Sequence, residues 1–450
     1  MQIMVLCFTL ALFIGCIYCF KNKLYLYFFI PCFLFLPDYY GIDISDALPV
    51  ISVSRIFLIL FAIYVLKYKR RSINFSTIKN IKHIKIPSEY YFLFTYFILR
   101  IISNLRYITT YNQAYKTIFS IVIEQVFLLL AFYLLSPTKE EYITLLKSVV
   151  WTSNILFLVG IFESITFIKP FDILYTVSRG IINESQVKFG LLRATTTMLM
   201  PIIYGNVCVL LFPLILYVYE ITRKKIYIVS SVLCFLAIIH SGCRSSVLYF
   251  IAILGIYFIL IIKKRDRRIQ FSKTLTVVII CFLVIYTFLP TNLHFYYSAT
   301  AKSVLNEVGF NFDVNEGAPN ESMKISMTGR DSTPRIVQLS GIYYTALHHP
   351  IFGFGAGAQN RDDLKYYFYQ KWQTIHTFDN GLVEIFCSEG IIGTLALASL
   401  LIFITLNLHK RKFYLLSFIA YLLTTISTIN LFTFLFFIIA ININWDYKPE

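Results

Sequence analysis

The stretch PIIYGNVCVLLFPLILYVYEITRKK, residues 201–225, decides the fold class of this chain. It opens with an uncharged, mostly apolar run and closes on a basic cluster. A helix needs about 20 apolar residues to cross a hydrocarbon core of about 30 Å, and short basic loops next to such helices stay in the cytoplasm. The stretch therefore predicts a transmembrane helix at 199–219 that ends on the cytoplasmic side.

Similar runs recur along the chain. Of its 450 residues, 58% are hydrophobic and 14% are charged, and the mean hydropathy is +0.69, which excludes a soluble domain. Because helices satisfy their own backbone polar groups in lipid, we expect an all-α polytopic membrane protein with about 12–13 transmembrane helices. The candidate spans are 3–20, 24–37, 48–66, 90–105, 115–136, 145–168, 199–219, 226–241, 244–262, 274–290, 381–407, 413–428 and 430–443, and the last two could also form one helix.

The net charge of +16 comes mainly from short basic segments between these spans. Their placement fits one common side of the membrane, so the positive-inside rule predicts an external N-terminus and a cytoplasmic C-terminus. Nucleic-acid binding is not expected, because no basic stripe with interleaved aromatic residues lies outside this pattern. The basic segments are 21–23, 67–86, 222–225, 263–268 and 409–412.

Two longer connections fall on the opposite, external side. They divide the chain into transmembrane helices at 1–290 with an external loop at 169–198, a large external loop at 291–380, and C-terminal transmembrane helices at 381–450. The large loop is far longer than a helix bundle requires, which makes it the first place to look for function. We expect it to form a partly helical cap.

Three arginines are candidate anion ligands on the external side. Arg244 lies in IIHSGCRSSVLYF, Arg193 in GLLRATTTMLMP and Arg330 in MTGRDSTPRIVQ. An arginine near the membrane boundary either snorkels to water or pairs with an anion, and the small residues around Arg244 favour a ligand. If the three converge, their guanidinium groups form a site suited to a diphosphate.

The segment HTFDNGLVEIFCSEGIIG, residues 376–393, holds the candidate general base. His376 and Asp379 could each accept a proton from a sugar hydroxyl. Asp379 and Asn380 could equally cap the helix that starts at 381. Gly390 and Gly393 are expected to allow close packing against a neighbouring helix.

Other motifs favour structural roles. The G-x-G-x-G in HHPIFGFGAGAQN, residues 348–360, lacks the strand and helix of a nucleotide-binding unit, so we expect a tight loop on the outer surface. Asp38, Asp43 and Asp46 are better explained as solvated loop acids than as a metal site. Glu124 and Glu163 lie within spans and would suit a proton-coupled transporter, unless they pair with Arg100, Lys147 or a neighbouring helix.

Four stretches together resemble a known family. They are LLRATTTMLMPIIYG, SGCRSSVL, TGRDS followed by ALHHPIFGFGAGAQN, and DNGLVEIFCSEGIIG, and they cover about half of the chain in order. The pattern is similar to the bacterial O-antigen polymerase and ligase superfamily, whose members are glycosyltransferases of the cytoplasmic (inner) membrane. The resemblance implies a fold related to the GT-C class and metal-independent catalysis without a cofactor.

The resemblance also implies roles for particular residues. Arg244 and Arg330 would hold the diphosphate of an undecaprenyl-diphosphate-linked oligosaccharide, and we expect Arg193 to join them. Ligases of the family carry a histidine, then Asn, Ser or Gln, then nine residues and G-x-x-G. Asn380 and Gly390 keep this spacing, but Asp379 stands at the histidine position, which favours a polymerase of the Wzy type over a ligase.

The expected reaction is inverting glycosyl transfer on the outer face of the membrane, with His376 or Asp379 as the base. Donor and acceptor would both be lipid-linked oligosaccharides, and the product O-antigen, capsule or exopolysaccharide. The expected partners are membrane lipid, a chain-length regulator and a flippase. The alternatives are an O-antigen ligase and, from another class, a lipid-linked oligosaccharide flippase or transporter.

Overall fold

The structure is a computed structural model that describes residues 2–45, 48–69, 88–135, 137–177, 186–324, 337–368, 370–376, 378, 380–408 and 412–427. Helices dominate these ranges, and the strands form three short antiparallel hairpins, β1 with β2, β3 with β4 and β5 with β6. The elements in chain order are α1 Gln2–Lys21, α2 Tyr25–Phe35, β1 Gly41–Ile42, β2 Ile51–Ser52, α3 Val53–Lys69, α4 Ser88–Leu105, α5 Asn112–Ser120, α6 Phe127–Leu135, α7 Lys139–Thr166, β3 Val187–Lys188, β4 Leu191–Leu192, α8 Pro201–Thr222, α9 Ile226–His240, α10 Arg244–Ile256, α11 Arg265–Thr287, α12 Thr291–Glu307, α13 Ser340–His348, β5 Lys365–Phe368, β6 Lys371–Thr374, α14 Gly381–Leu408 and α15 Lys412–Ser427.

The helical membrane fold predicted from the sequence is confirmed. Within the described ranges, seven helices are long and apolar enough to cross a membrane, and four shorter apolar helices accompany them. Each predicted span from 3–20 to 413–428 coincides with a helix, while 430–443 lies outside the described residues. Short π-helical stretches, Ile121–Val126 and Tyr257–Ile261, join α5 to α6 and extend α10.

Two helices begin earlier than their apolar runs suggest. α7 starts at Lys139 rather than 145, because Thr138 and Glu141 form a capping box in which each side chain accepts the other's backbone N–H. α11 starts at Arg265 rather than 274, so most of the predicted basic turn is helical. Hydropathy marks the lipid-soluble part of a helix and misses a charged first turn in water.

α8 lies at the centre of the bundle. In its most apolar window 83% of the residues are buried, against 6% in α1 and 0% in α11. α1 and α11 are therefore outer helices that offer apolar side chains to lipid. Asn206 of α8 joins two neighbours, since it donates to Ser427 over 2.9 Å and accepts from Ser246 over 3.1 Å, the kind of polar contact that holds membrane helices together.

The bundle has two distinct faces. Basic turns lie side by side on one of them: Tyr64 donates to the Lys23 carbonyl over 2.9 Å, and Arg223 and Arg267 lie 2.5 and 3.8 Å from the Glu220 carboxylate. We call this the basic face. The opposite end, where α9 meets α10 and where the connections 167–200 and 288–380 emerge, is the loop face.

The first part of the large connection packs onto the loop face. Tyr296 of α12 donates to the Ile239 carbonyl over 2.7 Å, and the hydroxyl of Tyr297 lies 2.8 Å from His240 Nε2. Beyond α12, Asn306 exchanges two bonds of 2.8 Å with the backbone of Phe312. α12 is thus a fixed cover over the corner between α9 and α10.

The second part of the connection packs on α14. It contains α13 and the β5–β6 hairpin, and it shares a small apolar core with the first turns of α14. That core is formed by Phe354, Ala358, Leu364, Ile375, Val383 and Cys387.

α14 is broken at Gly390, whose φ of 62° and ψ of −154° lie outside the helical region. The backbone groups freed by the break bond to residues 350–355. Phe354 and Gly355 donate to the carbonyls of Cys387 and Ser388, both over 2.8 Å, and Ile391 donates to the Pro350 carbonyl over 2.9 Å. A broken membrane helix needs such replacement partners.

The G-x-G-x-G segment forms the predicted tight loop, since Gly353, Gly355 and Gly357 all have positive φ. Its expected position on the outer surface is wrong for Gly353 and Gly355, which are buried. A Cβ on Gly390 would lie 2.5 Å from the nitrogen of Gly353. Gly390 therefore makes its close approach to this loop and not, as expected, to a neighbouring helix.

Candidate functional site

Arg193 follows the β3–β4 hairpin directly and points at the corner between α9 and α10. Its Nε donates to the Ser241 carbonyl over 3.1 Å, and its two terminal nitrogens lie 2.7 Å from Gln186 Oε1 and 3.0 Å from Cys243 Sγ. The side chain is partly exposed. Because each guanidinium nitrogen has one such partner, the group is held in a set orientation while some of its N–H bonds remain available.

The corner at residues 241–244 accommodates a second cation. Lys188 Nζ donates to the Gly242 carbonyl over 3.2 Å. Gly242 has a φ of +65°, and a Cβ there would lie 3.1 Å from Arg193 Cγ. Glycine thus permits both the turn and the close approach of Arg193.

Arg244 is the first residue of α10, on the same corner. Its side chain is 34% exposed, and its Nε lies 3.0 Å from Oε1 of Glu307, the last residue of α12. The free N–H groups and the dipole of a helix N-terminus favour anions. Lys188, Arg193 and Arg244 therefore gather positive charge at one point on the loop face, which we call the cationic corner.

Buried hydrogen bonds hold the cationic corner in place. Glu163 of α7 is fully buried and accepts from the Thr195 hydroxyl over 3.0 Å and from the Thr196 N–H over 2.8 Å, two and three residues after Arg193. His240, just before the corner, lies 3.0 Å from Ser164 Oγ and 2.8 Å from the hydroxyl of Tyr297. Burial raises the pKa of Tyr297 to about 12, so its hydroxyl keeps its proton.

Glu124 and Glu163, the two acids within predicted spans, pair with neither Arg100 nor Lys147. Glu163 bonds to the Thr195–Thr196 backbone segment, and not to Arg100 or Lys147. Glu124 lies 2.6 Å from Arg55 of α3, which agrees with pairing to a neighbouring helix. Neither carboxylate is left as an unpaired proton carrier, so the feature that suggested a transporter has a structural explanation.

Arg100 pairs instead with Glu389, one residue before the break in α14. Its Nε lies 3.1 Å from both carboxylate oxygens, and a terminal nitrogen lies 2.9 Å from Oε1. Ser103 donates to the Glu389 carbonyl over 2.9 Å. This ion pair joins α4 to the broken helix across 289 residues of sequence.

The other candidate residues are only partly described. His376 follows β6 and is exposed, and no hydrogen bond or ion pair among the described residues joins it to Arg193 or Arg244. Arg330 and Asp379 lie outside the described residues. The structure therefore brings together two of the three predicted arginines and shows His376 exposed after β6. It leaves the positions of Arg330 and Asp379 untested.

Asn380 is the N-cap of α14. Its Oδ1 accepts from the N–H groups of Leu382 over 3.0 Å and Val383 over 3.4 Å. The predicted capping role is confirmed for this residue. Asp379 directly precedes the cap in sequence.

Sequence reasoning missed Lys188, Glu307 and the Arg100–Glu389 pair. Lys188 and Glu307 had no signal that separated them from other charged loop residues. The pair did carry one, since each residue is a charge within an apolar span and their signs are opposite. The hydrophobic pattern of one helix does not show which residues of another helix it faces. The contact between α4 and α14 therefore could not be predicted from the sequence.

Comparison with known proteins places these features in context. Residues 229–398 match the family model described as O-antigen ligase, and no curated protein and no solved structure matches the chain. The match covers less than half of the chain and includes Arg244, Glu307 and the broken helix. It supports the O-antigen polymerase and ligase superfamily, a group of multi-pass membrane enzymes of the glycosyltransferase kind that use lipid-linked oligosaccharides.

Proposed function

We propose that this protein polymerises undecaprenyl-diphosphate-linked oligosaccharide repeat units into a surface polysaccharide. The observation that carries the proposal is the placement of Arg193 and Arg244 on one corner of the loop face, where α10 begins. The family match over residues 229–398 supports the same substrate class. The product would be O-antigen, capsule or exopolysaccharide.

The cationic corner would bind the diphosphate of the donor. Guanidinium groups bind phosphate oxygens through paired hydrogen bonds and stay charged at any relevant pH. Lys188 adds a third charge, and the N-terminus of α10 adds backbone N–H donors. Arg330 is proposed to complete the site from the large loop, with the polyprenyl tail between the helices.

The proposed reaction is a single displacement. A hydroxyl of the acceptor attacks the anomeric carbon of the donor sugar from the side opposite the diphosphate, so the new C–O bond forms as the old one breaks. His376 or Asp379 takes the hydroxyl proton. Undecaprenyl diphosphate leaves with the bonding electrons, and Arg244, Arg193 and Arg330 stabilise its growing charge.

A polymerase is favoured over a ligase by one local departure from the ligase pattern. Asp379 replaces the histidine expected before Asn380, and the Asn380 side chain is engaged in capping α14. The ligase alternative rests on the printed description of the matching family. A ligase would pass a finished glycan to another acceptor instead of a lipid-linked repeat unit.

The cellular setting follows from this function. We propose a bacterial cytoplasmic membrane, with the loop face outside, the N-terminus outside and the C-terminus inside. A flippase would deliver repeat units to the loop face, and a chain-length regulator would act on the growing product. A GT-C-related origin of the bundle is part of the same proposal.

Glycan analysis of a gene deletion tests the proposal. The deletion strain should carry single repeat units in place of long chains. Arg244→Lys should reduce polymerisation by about 10² to 10³, because a lysine does not reproduce the paired bonds of the guanidinium group. Arg265→Lys, at an exposed position on the basic face, is the matched control.

Each outcome separates the proposed function from an alternative. Full-length glycan that stays on the carrier lipid would identify a ligase. Movement of lipid-linked oligosaccharide across liposomes without a new glycosidic bond would identify a transporter. Normal glycan in the deletion strain would exclude both enzymes.

A further inference from the structure

A cavity of about 470 Å³ lies apart from the contacts of the cationic corner, between the residues that follow α4 and the second part of the large connection. This volume falls within the range of about 300–1,000 Å³ typical of small-molecule sites. Four aromatic side chains line it, Tyr107, Tyr111, Tyr344 and Phe354. The rest of the lining is polar, from His349, Asp362, Asp363 and Lys365.

The aromatic rings are fixed by their own contacts. The Tyr107 hydroxyl donates to the Gly353 carbonyl, and its ring stacks on that of Tyr111 with the centroids 5.7 Å apart. The rings of Tyr344 and Phe354 are nearly parallel, with an interplanar angle of 11° and centroids 5.9 Å apart. The ring of His348 also stacks on that of Tyr344, with the centroids 4.2 Å apart. A ligand would therefore meet preordered aromatic side chains, which lowers the entropic cost of binding.

Two of the polar groups are available to a ligand. Asp362 is exposed, and neither it nor His349 has a side-chain hydrogen bond or ion pair within the described part of the chain. Burial lowers the pKa of His349, and the positive charges of Arg106 and His348 lower it further, against the opposing effect of Asp363. A neutral imidazole presents one donor and one acceptor.

Asp363 is oriented by an arginine from the same loop. Arg361 Nε lies 3.1 Å from Asp363 Oδ2, and its guanidinium carbon lies 3.4 Å from the centroid of the Tyr111 ring. The positive charge of Arg361 is thus committed to a carboxylate and an aromatic face. Asp363 then balances Arg361 and Asp362 balances Lys365, so these four residues carry no net positive charge that would favour a phosphate group.

This combination fits a sugar ring. A pyranose has an apolar C–H face that packs on an aromatic ring, and neighbouring hydroxyls that both donate and accept hydrogen bonds. Carboxylates accept from adjacent hydroxyls, and a neutral histidine serves either role. Small-molecule sites commonly join apolar walls to a few such polar groups.

We propose that the cavity binds a sugar residue of the acceptor glycan, with Tyr344 as an aromatic wall contact and Asp362 and His349 as hydroxyl partners. The placement supports this role, because Ile375 donates to the Leu364 carbonyl over 2.9 Å, so the cavity wall at 363–365 runs beside the segment that ends in His376. The inference rests on the proposed function, and it gives the acceptor a site separate from the arginines that hold the donor.

A binding experiment tests the cavity directly. The probe is the oligosaccharide released by mild acid from the strain's own lipid-linked repeat unit, added to the purified full-length protein. Trp372, whose ring centroid lies 5.2 Å from that of Tyr344, provides a fluorescence signal. We expect millimolar or tighter binding that weakens about tenfold in Tyr344→Ala and in Asp362→Asn.

Matched variants separate binding from folding. Tyr344→Phe keeps the ring and should bind as the wild type does. Tyr343→Ala removes the adjacent ring, which is 61% exposed, and should have no effect. Asp266→Asn, an exposed acid on the basic face, controls for the loss of one negative charge.

The outcomes distinguish this inference from the proposed function. Failure of the oligosaccharide to bind, or equal binding in Tyr344→Ala and Asp362→Asn, would overturn the sugar site even if Arg244→Lys still abolished polymer. Normal polymer in the deletion strain would overturn the function, while the binding result would still decide the cavity.

Discussion

Arg244 Nε lies 3.0 Å from Glu307 Oε1, which ties the cationic corner to the end of the helix that covers it. Both side chains are partly exposed, at 34% and 43%. The carboxylate of Glu307 therefore binds the Arg244 guanidinium group at the place proposed for the diphosphate. An incoming donor must displace Glu307 or share Arg244 with it.

Replacing Glu307 with Gln should tighten donor binding. Removal of the competing carboxylate frees Arg244, and an exposed pair of this kind contributes about 0.2–1 kcal/mol, or roughly a 1.4-fold to fivefold gain in affinity. Titration of the purified protein with farnesyl diphosphate measures the change. Glu316→Gln, which removes an acid that pairs with Lys302, should leave the affinity as it is. Weaker binding in Glu307→Gln would contradict competition at Arg244.

Replacing Gly242 with Ala should reduce activity without removing any charge. The residue has a positive φ, which costs a side chain about 1–3 kcal/mol, and the new Cβ would lie 3.1 Å from Arg193 Cγ. Arg193 should shift, and polymer length in complemented cells should fall. Gly255→Ala is the matched control, since a Cβ at that helical position meets nothing within 4 Å. Equal polymer in both variants would mean that the placement of Arg193 has no part in the reaction.

Breaking the Arg100–Glu389 pair from one side should destabilise the protein. Loss of one partner leaves a buried charge unpaired, at a cost of about 3–5 kcal/mol. Arg100→Met and Glu389→Met should each lower the unfolding temperature in detergent, and the double variant should recover part of the loss. A double variant no more stable than the single ones would show that the pair acts through other contacts.

The titration of His349 should follow the charges around it. Its pKa is lowered in the folded protein, so the folded state takes up a proton less readily than the unfolded chain. Protonation therefore costs stability as pH falls below about 6.5, the ordinary value for histidine. Sugar binding should weaken in the same direction if it needs the neutral ring.

NMR titration of the histidine side chains can measure whether the pKa of His349 is lowered. The chain has seven histidines, and the signal of His349 is identified by its absence in His349→Gln. Arg106→Gln removes a positive charge that lowers the pKa, so the titration should move upward. A downward movement would contradict the assigned cause.

Much of the fold was predictable because lipid acts on each segment separately. A span must be long and apolar whatever its neighbours are, so the span 199–219 could be identified from local composition alone. The N-cap at Asn380 was likewise a local property, as its side chain bonds within its own helix.

The sequence predicted which types of residue form the candidate site, but not which other residues they contact. Arg193 and Arg244 carry charge beside small residues near a membrane boundary, which is visible in sequence. Glu307 and Lys188 gain their importance only from their contacts with Arg244 and Gly242. Arg330 and Asp379 remain predictions.

The sequence by itself determined that this chain is a helical membrane protein with long connections on one face and basic turns on the other. It did so because burial in lipid and the charge rule depend on composition within a few dozen residues. The tertiary structure alone decided that the glycine loop fills the break at Gly390, that Glu389 meets Arg100 and that two arginines share one corner. Such contacts depend on the rotation and depth of helices far apart in sequence, which no local pattern specifies.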